Sequence, residues 1–447
     1  MNTTDFLGAP VLVPEHGKAL ARRILDQTMA TIEVRHAMLE RVRFNDSTLV
    51  VGDAQLDIPK PPRVIAFGKA ANRMAAALDE ILGGRIDSGV VVSPAEPAQK
   101  LTRFRCFQGG HPYPNSGSLT GAEAALEILA GLSDQDTVIY LISGGGSALF
   151  EKPLDPEITL ADLIELNRVL VGCGLPIEQI NIIRKHLSAV KGGRLARRAY
   201  PARQFTIYIS DVPDDVPSMV ASGPTMPDES TTAQCCDLVE RHGLTPKLPV
   251  SVGRHFESRT IEETPKPGDP QFADSRYYCL LSNRDALAAA KTSAANLGIV
   301  AEIDTGSWDA YYRQLVDETL IRLAAARARY PGKTVCLIQG GEVISPVTGG
   351  GIGGRNQAFA LYAAGRIAGS ARTVLSAGTD GRDGNSPAGG AVADGTTIAR
   401  GLELGLDAEK YLEGSDSYHF FHALGDTIET GYTDNNVRDV RLWFDFA

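Results

Sequence analysis

Two α/β domains, the first built on a parallel sheet, are what this sequence predicts, and three observations carry the prediction. The chain has 447 residues, more than one ordinary hydrophobic core organises. Short apolar runs alternate with stretches of helical periodicity, the pattern of βαβ units. Polar residues and glycines recur where the apolar runs end, as in open α/β sheets whose ligands bind beyond the carboxyl ends of the strands.

The elements follow in order. Residues 16 to 43 have helical apolar spacing and few breakers, so one long helix packed on the first domain is expected. RVIAFGKA (63–70) is a strand running into a helix over Asn72–Leu82, and SGVVVSP (88–94) is a second strand. A helix over Thr120–Leu132 leads to the buried strand Val138–Ile142, which breaks into Ser143, Gly144, Gly145, Gly146 and Ser147. Helices fill much of 160–198, and FTIYISDV (205–212) is a further strand ending in an acidic, proline-rich loop. Proline, charge and short polar runs place a linker at 251–275, between an N-terminal domain (1–250) and a C-terminal domain (276–447). The second alternating series is YYCLLSN (277–283), a helix over Arg284–Leu297, IVAEID (299–304), a helix through Ala326, TVCLIQGGE (334–342), a helix over 357–368 and TVLSAGTDG (373–381).

Composition narrows the function. Hydrophobic residues at 43% and charged residues at 22% suit a globular enzyme, and the net charge of −10 argues against a nucleic-acid or anionic-membrane surface. The six cysteines have no zinc-ligand spacing and read as buried free thiols. His419 and His422 could face one metal from a helix, but with no third ligand evident they read as packing or surface residues. No basic segment followed by an apolar core opens the chain, and no run approaches the roughly 20 apolar residues of a membrane span, so a cytoplasmic protein is expected.

The chemistry that remains is that of phosphate. Glycines let the 144–146 loop bend so that successive N–H groups, with a helix start after them, form an anion site. Standing alone, such a loop is an ordinary tight turn. Lys69 follows a strand and Gly68 as a phosphate-binding point charge would, although a solvated lysine at a helix start explains it equally well. Arg184, Lys185 and Lys191 form a basic cluster, and a solvated helix face explains most such clusters. Asp211, Asp214, Asp215, Glu342, Asp380 and Asp383 end strands or lie in the loops after them, where carboxylates hold Mg²⁺ or orient a hydroxyl, although each taken singly could merely cap a helix. No Walker-type glycine loop and no protein-kinase element occurs. Gly349, Gly351 and Gly354 spell a formal dinucleotide fingerprint, but it does not directly follow a strand and Ser345-Pro346 precedes it, so a flexible loop carrying Arg355 is the preferred reading.

AFGKAANRMA (66–75), LISGGGSALF (141–150), NIIRKHLSAVKGGRLA (181–196), the segment 209–231, GGRNQAFAL (353–361) and SAGTDGRDG (376–384) together resemble the class II glycerate kinases. These are glycerate 2-kinases with a C-terminal MOFRL domain, often labelled hydroxypyruvate reductase in bacterial tartrate-utilisation operons. The resemblance implies a Rossmann-like N-terminal domain with a parallel sheet, a smaller α/β C-terminal domain and a cleft active site. It also implies phosphorylation of D-glycerate to 2-phosphoglycerate with ATP and Mg²⁺. Lys69 and Arg355 match the family's catalytic lysine and arginine. Two positions depart from the pattern: Ala358 stands where an acid is usual, and the terminal segment reads GYTDNNVRD.

The expected site is therefore Lys69, Arg355 and Asp211 for catalysis, with the base being Asp211 or another of the carboxylates. Gly144, Gly145, Gly146, Ser147, Lys191, Glu342 and Asp380 would contact the nucleotide, and Asp214 and Asp383 the metal. Glycerate is the expected small-molecule partner, with no nucleic acid or membrane, in a monomer or homodimer. The rivals are an NAD(P)H-dependent hydroxypyruvate reductase, which needs a strand-linked dinucleotide fingerprint, and a silent ligand-binding protein, which would be expected to lose Lys69, Arg355 or the carboxylates.

Overall fold

Six strands pair in parallel: β1 (Arg63–Phe67), β2 (Ser88–Ser93), β3 (Phe104–Gln108), which was not among the expected strands, β4 (Thr137–Ile142), β5 (Arg203–Ile209) and β6 (Ser275–Leu281). The computed structural model describes residues 14–213, 216–306 and 309–447. Across the sheet the strands lie in the order 3-2-1-4-5-6, that of a Rossmann-like, doubly wound fold. Every residue of β4 is buried, as a central strand covered on both faces requires. Phe67, at the end of β1, stacks on Phe150 with ring centroids 4.2 Å apart and closes the core beneath the strand ends. The order reverses between β1 and β4, so the loops that follow these two neighbours flank the switch-point crevice. They are the Gly68–Ala70 turn and the 143–147 glycine loop.

Within this unit, formed by residues 33–282 and 434–436, three expectations change. The helix expected over 16–43 is two helices, Pro14–Thr31 and Val34–Arg41, separated where the Glu33 carboxylate caps the second by accepting the His36 N–H at 2.7 Å. A three-stranded antiparallel sheet then spans 42–57. The stretch 251–275 is not bare linker, since it lies beside and within a helix at Val250–Glu257 and a 3₁₀ turn at Pro270–Phe272. YYCLLSN opens no second series either: Tyr277–Leu281 belongs to β6, which pairs with β5.

The other unit comprises the stretch ending at Ile32, then residues 283–433 and 437–447. The helix Pro14–Thr31 packs here, against the helix Asn283–Asn296 and the strands that follow, and not on the first sheet as expected. The strands β7 (Val300–Ile303), β8 (Val335–Gln339), β9 (Arg372–Gly378), β10 (Gly390–Asp394), β11 (Thr427–Ile428) and β12 (Asp439–Asp445) lie in the order 7-8-12-9-10-11. Only β7 and β8 are parallel. The strand latest in the chain, β12, is antiparallel to both β8 and β9 and lies between them. Trp443 of β12, fully buried, meets Phe359 edge-on at 5.7 Å in the core under the helix Arg355–Arg366. Among the described residues no helix is long and apolar enough to cross a membrane.

Candidate functional site

The two loops at the switch point are stitched together by their backbones. The Lys69 N–H donates to the Gly144 carbonyl at 2.9 Å, the Ala70 N–H to Ser143 Oγ at 3.0 Å, and the Ser143 N–H to the Phe67 carbonyl at 3.1 Å. Gly68 has φ of 119°, and a Cβ there would stand 2.3 Å from Ser143 Oγ, so only glycine permits the approach. Gly145 has φ of 77°, and the space above it holds His111 and the Lys69 stem, 3.0 and 3.3 Å from where a Cβ would stand. A Cβ on Gly144 would fall 2.2 Å from Asp211 Oδ2. The loop thus has a lysine stem on one side and a carboxylate on the other. Among the described residues the N–H groups of Gly144, Gly145 and Ser147 meet no acceptor. The helix after the loop is a single turn, Gly146–Leu149, so a helix dipole adds little at these N–H groups.

Ser147 Oγ lies 2.8 Å from Ser222 Oγ, which donates to Asn181 Oδ1 at 3.2 Å. Ala221 and Ser222 hold positive φ of 50° and 62°, a backbone cost that fits a segment whose side chains must point one way.

In the other unit Arg355 opens the helix Arg355–Arg366. Its Nε and Nη2 fork onto the fully buried Asp439 at 2.7 and 2.9 Å, and Nη2 lies 3.2 Å from Glu342. Burial alone would lower the Arg355 pKa, but the Asp439, Glu342 and Asp383 charges outweigh it and raise it above its ordinary value. Asp383 caps the same helix, accepting the Asn356 N–H at 3.0 Å and the Gln357 N–H at 2.8 Å. Burial, with the Asp439 charge nearby, pushes its carboxyl up to about 6 against those donors. In front of Arg355 a cavity of about 690 Å³ is lined by Tyr311, Val343, Pro346, Gly353 and Tyr411 among others.

Two family models match the chain. A family model described as a domain of unknown function, DUF4147, matches residues 20–257, and one described as the MOFRL family matches residues 335–439. The D-glycerate 2-kinase of Thermotoga maritima is 36% identical over 381 residues, 84% of this chain and 89% of its own. The chain belongs to the glycerate 2-kinase family. A crystal structure of glycerate kinase from Thermotoga maritima superposes with a TM-score of 0.83 at 34% identity, covering 97% of this chain and 100% of that one. A protein of Agrobacterium vitis named putative hydroxypyruvate reductase is 34% identical, over 95% of this chain and 93% of its own. Membership of the glycerate 2-kinase family makes this chain an enzyme of the kinase type.

Of the residues expected at a glycerate 2-kinase site, the fold gathers Lys69, Gly144, Gly145, Gly146, Ser147 and Asp211 at the switch point. Arg355 and Glu342 meet at the other sheet. Three expectations are corrected. Lys191 is 1% exposed and paired with Glu151, and burial lowers its pKa with Glu151 opposing; it is an interior ion pair, not a cation offered to a nucleotide. Both oxygens of Asp383 are occupied by N–H donors at the helix start, so it is a cap and not a metal ligand. The Glu342 carboxylate is turned to Arg355, so it orients that guanidinium in place of a nucleotide. Asp380 accepts the Arg382 N–H at 3.1 Å. Asp214 lies outside the described residues, and among those described no group of three His, Cys, Asp or Glu side chains could hold a metal ion.

Four residues close to these groups escaped the sequence reading. Asn181 and Ser222 lie inside segments that carried the resemblance, and His111 in the loop 109–118. Asp439 ends the GYTDNNVRD segment, whose last acid was the available signal. Two side expectations are also settled by position. His419 pairs with Asp416 at 2.6 Å and His422 packs on Tyr418. All six cysteines are free thiols, but only Cys235 and Cys336 are buried as expected; Cys173, Cys236 and Cys279 are partly buried and Cys106 is exposed.

Proposed function

We propose that this protein transfers the γ-phosphoryl group of Mg-ATP to the 2-hydroxyl of D-glycerate. The observation that carries the reading is the stitched pair of loops at the switch point, where unused N–H groups lie between the Lys69 stem and the Asp211 carboxylate. Phosphoryl transfer asks a protein mainly for positioning and charge neutralisation. The N–H groups and Lys69 receive phosphate oxygens, and Asp211 meets the metal carried by the nucleotide or takes the proton of the attacking hydroxyl. Asp211 is the residue that would hold a Mg²⁺ brought in on the nucleotide, and the ion would supply neutralisation of phosphate charge there. In the other unit Arg355, held by Asp439 and Glu342, is the second cation of the proposal, and Asp380 is the remaining candidate for a nucleotide contact.

The competing reading is the reductase that one relative's name suggests. A dinucleotide fingerprint directly follows a strand, whereas β8 ends at Gln339, well before Gly349. The deciding assay supplies purified protein with D-glycerate and Mg-ATP and follows ADP, with the phosphoglycerate isomer identified by ³¹P NMR. ADP formation dependent on glycerate, with the 2-phosphate as product, is expected. Oxidation of NADH or NADPH by hydroxypyruvate with no ADP from glycerate would replace this reading with the reductase.

A further inference from the structure

The last turn of the helix Ile177–Leu187 carries Arg184, Lys185 and His186 in a row, and the fold provides for only two of them. Lys185 Nζ lies 3.2 Å from Asp228, and His186 Nε2 lies 3.2 Å from Glu263. Arg184 has a buried Nε that meets no acceptor, and among the described residues no ion pair or hydrogen bond engages its guanidinium. Glu151, the carboxylate whose charge reaches it, is already committed. Its Oε1 accepts from Ser188 Oγ at 2.6 Å and from the Lys152 N–H at 2.9 Å, while Oε2 pairs with Lys191. Two cations, Arg184 and Lys191, thus share one carboxylate, an excess of one positive charge. A guanidinium keeps its proton at neutral pH, so holding it half-buried without a fork partner is a cost that a bound carboxylate would relieve.

Position narrows the anion. Asn181 stands three residues before Arg184 on the same face of the helix, and it accepts the hydrogen bond from Ser222, which faces Ser147. Arg184 is therefore one helical turn from the chain of hydroxyls that ends at the glycine loop. The excess charge of one matches a monocarboxylate, and the hydroxyls beside it match a polyol. We infer that Arg184 binds the carboxylate of the acceptor substrate and so selects a small hydroxy acid over neutral polyols. The inference rests on the kinase reading above and adds to it the residue that sets acceptor specificity.

The test uses Arg184→Met, which keeps the stem, and Arg184→Lys, which keeps the charge without the fork. Glycerate and Mg-ATP are varied separately in steady-state assays, and melting temperatures are read with and without glycerate. Loss of a fork onto a carboxylate should raise the glycerate KM of Arg184→Met on the order of 100-fold and leave the ATP KM within about threefold. Glycerate should no longer raise its melting temperature, and the unliganded protein should melt no lower than the wild type. Arg184→Lys should recover only part of the affinity. An unchanged glycerate KM in either variant, or a rise confined to the ATP KM, overturns the inference while leaving the kinase reading intact. A wild-type protein that neither binds nor phosphorylates glycerate overturns both.

Discussion

Replacing Arg355 by alanine should cost stability as well as activity, and the structure says how much of each. Asp439 is fully buried and receives two N–H donors from Arg355 at 2.7 and 2.9 Å. Removing one partner of a buried pair leaves an uncompensated charge and costs about 3–5 kcal/mol. The lower end applies, because the buried Arg441 lies 3.7 Å from Asp439 and remains. For a unit of this size about 3 kcal/mol corresponds to a fall of roughly 6–12 °C in melting temperature. If Arg355 also stabilises the transferring phosphoryl group, kcat should fall on the order of 10³-fold. The double variant Arg355→Ala with Asp439→Asn separates the two losses, since it removes the orphaned charge. Its melting temperature should regain only part of the loss, because the buried Arg441 then lacks the Asp439 charge, while kcat stays low. Thermal melts and steady-state kinetics on the same preparations decide the matter. A single variant that melts like the wild type would refute the clamp, and a double variant that regains kcat would remove Arg355 from the chemistry.

Two further expectations follow from the same geometry. Gly144→Ala places a methyl 2.2 Å from Asp211 Oδ2, so the carboxylate must move; kcat should drop roughly a hundredfold with a melting temperature close to the wild type's, and an unchanged kcat would show that Asp211 has no part in the reaction. Asp383 has a folded-state pKa raised from 3.8 to about 6, so the native state holds the proton more tightly than the unfolded chain. Its contribution to stability is complete below about pH 4 and is lost as pH rises through about 6, with a slope of at most about 1.4 kcal/mol per pH unit. Urea melts from pH 4 to 7 should show that decline in the wild type and not in Asp383→Asn; parallel curves would count against it.

Four strands of the first sheet, β1, β2, β4 and β5, were legible in the sequence because they are nearly uninterrupted buried runs, TVIYLI above all, and because glycine follows β1 and β4 at the ligand-bearing ends; β3, FRCFQ, is largely exposed and went unread. What periodicity could not convey was pairing. YYCLLSN reads as a strand wherever it goes, and only its partner, β5, assigns it to the first sheet. DVRLWFD gave no sign that it would part β8 from β9, because insertion between strands is decided by long-range register. Burial was equally hidden: Lys191 before two glycines resembles a phosphate lysine until Glu151 is seen against it. Asp383 resembles a metal acid until the helix that it caps, begun 28 residues earlier, is folded beside it. Gly145 reads in the sequence as a ligand-facing loop glycine, and its φ of 77° adds that any side chain there would strain the backbone.

The placing of β12 ties assembly of this unit to the order in which the chain is made. Until residues 439–445 leave the ribosome, β8 and β9 are both unpaired along the edges they will later share, and such edges are templates for wrong pairing. The same late segment delivers Asp439, so before then Arg355 has Glu342 but lacks its buried fork partner. Chain synthesis thus carries its own timer: the guanidinium is locked in place only when the sheet is closed, and a product cut short before Asp445 would hold two open edges and an arginine without its fork. Pulse-labelled truncations ending between β11 and β12 should therefore aggregate or enlist chaperones, whereas those ending after β6 should already hold the first sheet.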